Sequence, residues 1–198
     1  MIPSQGFIEN LMLLLMTASL TGILVPLLFR RIDERRNREQ KIFEADLARQ
    51  SKIIDAQVKL VEDLSSLLWE YQLLLIDVPY YHQFPKRNLY PAALKAYEEN
   101  AGKLLSKIRA EISKALRLTP HHIYKKLKDL YYNQLLPLDL DLMQLASQDK
   151  KQQNVKTGRS WSELNRYAVY DLAEIVDTTI DSLASELKLK SDIKTARG

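Results

Sequence analysis

Apolar side chains are distributed along this chain in three distinct ways. Residues 11–29, LMLLLMTASLTGILVPLLF, form an unbroken apolar run without an ionisable group. At 1.5 Å per residue such a run covers about 28 Å, close to the roughly 30 Å hydrocarbon core of a bilayer, and predicts a single transmembrane helix. The preceding residues 1–10, a short outer tail, contain no Lys or Arg, whereas Arg30, Arg31, Arg35, Arg36 and Arg38 follow at once. The positive-inside rule then places the N-terminus outside and the C-terminal side in the cytoplasm, a single-pass protein of the cell's inner membrane. A cleaved signal peptide fits less well, because the start is uncharged up to Glu9 and no small-x-small site follows the run. Within the run, Ala18 and Gly22 make a small-xxx-small pair on which two spans could pack, and Pro26 is expected to bend the exit.

Residues 30–51 carry the second pattern, charges of both signs with few apolar positions, which predicts a solvated helical stalk held by i,i+4 ion pairs. From Leu27 to Val78 there is neither Gly nor Pro, so one long helix is expected to run on towards Pro79. The third pattern starts on this helix. Phe43, Leu47, Ile54, Val61, Leu64, Leu68, Tyr71, Leu75 and Val78 recur at 3,4 spacing, a seam suited to a coiled coil or a bundle core, with Gln50 and Gln57 as its polar positions. A second apolar face runs over residues 91–118, from Leu94 to Leu116. Thr119-Pro120 then reads as a stop followed by a start, with the threonine hydroxyl capping the next helix. The third segment carries Ile123, Tyr124, Leu127, Leu130, Tyr131 and Leu135 and is expected to kink at Pro137 and end near Ser147. The alternation of Leu138, Leu140 and Leu142 would suit a strand, but no partner strand is evident. Residues 148–159 are polar and read as a loop. Ser160 to Glu163 match a capping box ahead of a regular amphipathic helix from Trp161 to Leu187. The predicted fold is all-α: transmembrane helix 11–29, stalk 30–51, an up-down-up-down four-helix bundle over 52–190, and a flexible tail 191–198.

Composition narrows the function more than it identifies it. There is no cysteine among the 198 residues, which excludes disulfides and thiol chemistry. The net charge of +4 owes much to the arginines after the apolar run, which favours contact of Arg30, Arg31, Arg35, Arg36 and Arg38 with anionic lipid headgroups over nucleic-acid binding. No Glu has a His three residues later, as a di-iron bundle requires, and adjacent His121 and His122 point about 100° apart on a helix. Neither HExxH, GxSxG nor a Gly-rich phosphate loop occurs, so no cofactor, no metal and no enzymatic activity is expected. The stretch 78–90, VPYYHQFPKRNLY, gathers Tyr80, Tyr81, His82, Phe84, Lys86 and Arg87 in a predicted loop at the far tip of the bundle. These are the candidate partner-binding residues, although the same aromatics could fold back to close the bundle end, the preferred reading.

The stretch EADLARQSKIIDAQVKLVEDLSSLLWEYQ, residues 44–72, preceded by a single apolar run, resembles small uncharacterised bacterial single-span membrane proteins with a cytoplasmic helical domain. The resemblance implies a bacterial inner membrane and carries no activity with it. The expected function is a membrane-anchored helical interaction or scaffold module that recruits a protein partner, with self-association through the spans as a further expectation. The alternative is a membrane-acting effector or channel-associated subunit working through oligomerised spans.

Overall fold

The computed structural model describes residues 5–19, 25–83, 87–151 and 158–188, and every regular element among them is helical. In order these are α1 (Gln5–Ser19), α2 (Val25–Gln83), a 3-10 turn (Arg87–Leu89), α3 (Tyr90–Leu118), α4 (His121–Leu130), a π turn (Tyr131–Leu135), α5 (Leu136–Lys151), α6 (Trp161–Arg166), a second π turn (Tyr167–Asp171) and α7 (Leu172–Glu186). The chain divides into two compact units, Met1–Lys52 and Ile53–Gly198.

In the first unit the expected transmembrane helix is not found. Among the described residues no helix is long and apolar enough to cross a membrane. The 15-residue α1 begins with polar residues, Gln5, Glu9 and Asn10, and ends at Ser19. Its length is about 22 Å, short of the roughly 30 Å that a span requires. The other described part of the apolar run, from Val25, opens α2 with Pro26 in its first turn and meets Arg30 five residues later. The single-pass topology and inner-membrane location fall with the span, and the headgroup role assigned to the arginines loses its premise. Arg30 instead pairs with Glu34 at 3.2 Å, and Gln40 donates to Glu44 at 2.9 Å, both one turn apart on α2. Every described side chain over residues 30–50 is exposed.

In the second unit four helical rods share one core. Leu60, Leu64, Leu68, Tyr71, Leu75 and Val78 of α2 pack with Leu94, Tyr97, Leu104 and Ile108 of α3, Leu127, Leu135, Leu138 and Leu142 of the α4–α5 rod, and Leu164, Leu172, Val176 and Leu183 of the α6–α7 rod. Successive rods run antiparallel. Gln57 of α2 donates to the carbonyl of Leu118 at the end of α3, while His82 near the end of α2 packs against Tyr90 at the start of α3. Lys150 at the end of α5 reaches Glu98 early in α3, and His122 at the start of α4 meets Glu186 at the end of α7. The predicted seam is therefore buried only in part: Phe43, Leu47 and Ile54 are exposed, whereas burial begins at Leu60. The Gln57–Leu118 bond marks the level at which α3 ends, so Ile54 lies beyond the cover of α3.

Three local expectations are revised. The helix α2 does not stop at Pro79 but continues to Gln83. Only the bond to the Leu75 carbonyl is forfeited by the missing proline N–H, and the burial of Pro79 and Val78 in the core offsets that loss. Thr119 does not cap α4: its hydroxyl turns back to the Ala115 carbonyl at 2.8 Å and closes α3, leaving Pro120 at the head of α4. The third rod runs on through Pro137 as expected, but it carries a π turn just before the proline and ends at Lys151 rather than near Ser147. The start of α6 is a capping box, with Ser160 N–H donating to Glu163 Oε2 at 2.8 Å and Glu163 N–H to Ser160 Oγ at 3.3 Å.

This burial pattern yields a stability contrast on one helix. Leu68→Ala is expected to cost about 2–5 kcal/mol through the cavity it leaves, whereas Ile54→Ala changes stability by less than about 0.5 kcal/mol. Denaturant melts of the two full-length variants check this, and equal losses would place Ile54 in a buried contact.

Candidate functional site

The middle of the second unit contains a layer of buried polar contacts that sets the rotation of α2. Leu172 N–H, which in an α-helix would serve the Ala168 carbonyl, reaches back to Tyr167 in the π turn. The amide of Gln72 takes its place, donating to Ala168 O at 2.8 Å from a residue only 3 % exposed. The next side chain along α2, Tyr71, donates its hydroxyl to the Leu135 carbonyl in the other π turn at 3.2 Å and lies 3.3 Å from the Tyr97 hydroxyl, which donates to Asp139 at 2.8 Å. A Tyr167 hydroxyl bond to Gln134 links the two π turns directly. Burial raises the pKa of both Tyr71 and Tyr97 above the ordinary tyrosine value, with the Asp139 charge acting in the same direction, so both stay protonated donors.

With Tyr71 and Gln72 held inward, helical geometry decides what faces out. Leu73 lies about 160° around the helix from Tyr71, and Glu62, Trp69, Asp77 and Tyr80 fall within about 40° of Leu73. Trp69 is 36 % exposed, Leu73 63 % and Tyr80 44 %. Half-buried Ile76 lies beside them and Glu70 on the rim. This outward row is a continuous stripe about 27 Å long on a rigidly held helix. Although Asp77 reaches solvent, the surrounding protein mass desolvates its carboxyl and raises its pKa.

The predicted tip residues are distributed differently from the expectation of a loop. Tyr80, Tyr81 and His82 belong to the last turns of α2. Tyr80 faces out, edge-on to half-buried Tyr81 with ring centroids 5.3 Å apart. His82 turns inward, stacked on Trp161 at 4.5 Å and 23°, with Tyr90 edge-on to both rings. Its Nε2 is 3.0 Å from Asp149 Oδ2, which also accepts from the Tyr90 hydroxyl at 3.3 Å. This cluster ties together the ends of α2, α3, α5 and α6. Phe84, Lys86, the Arg87 side chain and Gly22 lie outside what the structure describes, and Ala18 is exposed on α1.

Other surface features offer less. A shallow cleft of about 530 Å³ beside Pro137 and Tyr167 contains Arg159 and Arg166. Arg159 is already engaged, bonded to Asp141 at 2.8 Å and stacked over Tyr167 at 4.4 Å. Gly158 allows that approach with its φ of 101°, a backbone conformation that a side chain would strain. Among the described residues no three His, Cys, Asp or Glu side chains gather as metal ligands. The outward row on α2 was not legible as a site from the sequence seam, although Trp69, Leu73, Ile76 and Tyr80 recur at 4,3,4 spacing on the opposite side of the same helix. No protein-family model, curated protein or solved structure matches this chain.

Two outcomes follow for the polar layer. Gln72→Leu leaves the Ala168 carbonyl buried without its donor and is expected to cost about 1–3 kcal/mol, with faster amide exchange around residues 167–173. An unchanged melt and unchanged exchange would mean that the π turn does not depend on Gln72. The raised tyrosines add a pH dependence. Stability from keeping them neutral is complete below the ordinary value of 10.0 and is lost as pH climbs from there towards the raised folded values, since only the unfolded chain ionises freely. Denaturant midpoints should therefore fall between about pH 9 and 11, and fall less in Tyr71→Phe.

Proposed function

We propose that this chain is a helical protein-interaction module that recruits a protein partner through the outward face of α2. The observation that supports this reading is the row of Trp69, Leu73 and Tyr80, exposed on a helix whose other side is buried in the core of the second unit. Tyrosine and tryptophan presented on a rigid element lose little conformational freedom on binding and bury a large area, the properties of residues that dominate association. The polar layer strengthens the reading, because it prevents α2 from rotating to bury the row. His82 is not part of the surface, since its ring is committed to Trp161 and Asp149. Anchoring in a membrane, and action through oligomerised spans, are not carried forward.

A photo-crosslinking residue at position 73, installed in the chain in its native cells, tests the proposal. A discrete crosslinked protein is expected from position 73 and not from Lys103, which is exposed on α3. The same products from both positions, or none from 73, would refute a docking role for this face.

A further inference from the structure

Over residues 60–83 the outward face of α2 is apolar and of one charge sign. From Leu60 to Gln83 the chain contains no Lys or Arg, and its acidic residues are Glu62, Asp63, Glu70 and Asp77. Asp63 has a cation near it, Lys114 of α3. Glu62, Glu70 and Asp77, the three that point outward, make no ion pair with any described residue. By helical phase Trp69 and Ile76 lean to one side of Leu73, and Glu70 and Asp77 to the other, about 40–60° away. From Trp69 to Tyr80 the face therefore has an apolar strip about three turns long, with Glu70 and Asp77 as an acidic edge beside it, while Glu62 lies about two turns before Trp69 and about 20° to its side of Leu73.

Resting on the interaction-module reading above, we infer that the occupant of this face is a basic amphipathic helix of another protein, with its apolar stripe against Trp69, Leu73, Ile76 and Tyr80 and its Lys or Arg residues along Glu70 and Asp77. An α-helix laid along α2 presents side chains at the same 3,4 spacing as the strip, so the two rows register over several turns. The acidic edge adds selectivity. An acidic helix would bring like charges to Glu70 and to Asp77, whose carboxylate is already desolvated, whereas a basic one neutralises them. A second copy of α2 is a poor occupant for the same reason, because its outward face carries the same acidic residues.

The experiment compares two synthetic helices of about three heptads that share one leucine stripe, one flanked by Lys and the other by Glu. Their binding to the full-length chain is measured by anisotropy at low salt. The Lys helix is expected to bind at least about tenfold more tightly than the Glu helix. The double variant Glu70→Lys, Asp77→Lys should invert that preference, and Leu73→Ser should weaken both helices; all three positions are exposed, so circular dichroism melts should match the parent chain. Equal binding of both helices, lost with Leu73→Ser, would overturn the basic partner while leaving the docking face intact. Binding of neither helix, or binding insensitive to Leu73→Ser, overturns the inference, and the crosslink from position 73 then decides separately whether the face docks a protein at all. A dimer in light scattering that dissociates in Leu73→Ser would also overturn it, assigning the face to a second copy.

Discussion

Two adjacent side chains on α2 hold the second unit in register. Tyr71 and Gln72 lie about 100° apart on the helix, and each reaches a backbone carbonyl in a different rod, Leu135 in one π turn and Ala168 in the other. Apolar packing alone tolerates sliding and rotation, since leucine fits against leucine in many ways. A buried amide and a buried hydroxyl with one carbonyl each do not, because displacement would leave polar groups without partners in the core. These two bonds define both the rotation of α2 about its axis and its height against two neighbours.

The π turns make that arrangement possible. Each inserts a residue into its rod's hydrogen-bond pattern, diverting Leu136 N–H to Tyr131 and Leu172 N–H to Tyr167. In the α6–α7 rod the diversion frees the carbonyl that Gln72 occupies. In the α4–α5 rod it comes immediately before Pro137, whose missing N–H and bulky ring would otherwise disturb a regular helix. The link between Gln134 and Tyr167 joins the two irregular turns, so the rods are matched at their least regular points. Nearer the far end, the stack of His82 on Trp161 and the shared Asp149 acceptor close the rods a second time.

The surface follows from the interior. Once α2 is fixed by Tyr71 and Gln72, the row opposite them has no choice but to face solvent. Between residues 69 and 80 that row presents Trp69, Leu73 and Tyr80, with the carboxylates Glu70 and Asp77 on one edge. The apolar row costs little in the isolated chain, since a folded surface is already more than half apolar, and its lying along one rigid helix is what supports the proposed docking role.

The sequence by itself determined the all-helical character, the capping box at Ser160 and Glu163, and the unbroken helix over residues 27–78, because each depends on local periodicity or on neighbouring residues. It also showed the seam from Leu64 to Val78, whose 3,4 spacing is a property of one helix. Elsewhere local pattern misled. The apolar composition of residues 11–29 suggested a membrane span, but the helices described there are too short or turn charged too soon. Pro79 suggested a helix end, but a proline can be retained where neighbouring burial outweighs one lost bond. Phe43, Leu47 and Ile54 continue the seam in sequence, yet burial begins only at Leu60, and Ile54 lies past the level at which α3 ends. The π turns, the pairing of Gln72 with Ala168 and of Tyr71 with Leu135, and the choice of Trp69, Leu73 and Tyr80 as the outward row were decided only by tertiary structure. Each depends on contacts between residues far apart in the chain, and periodicity along one helix says which side chains share a face but not which face the other rods will cover.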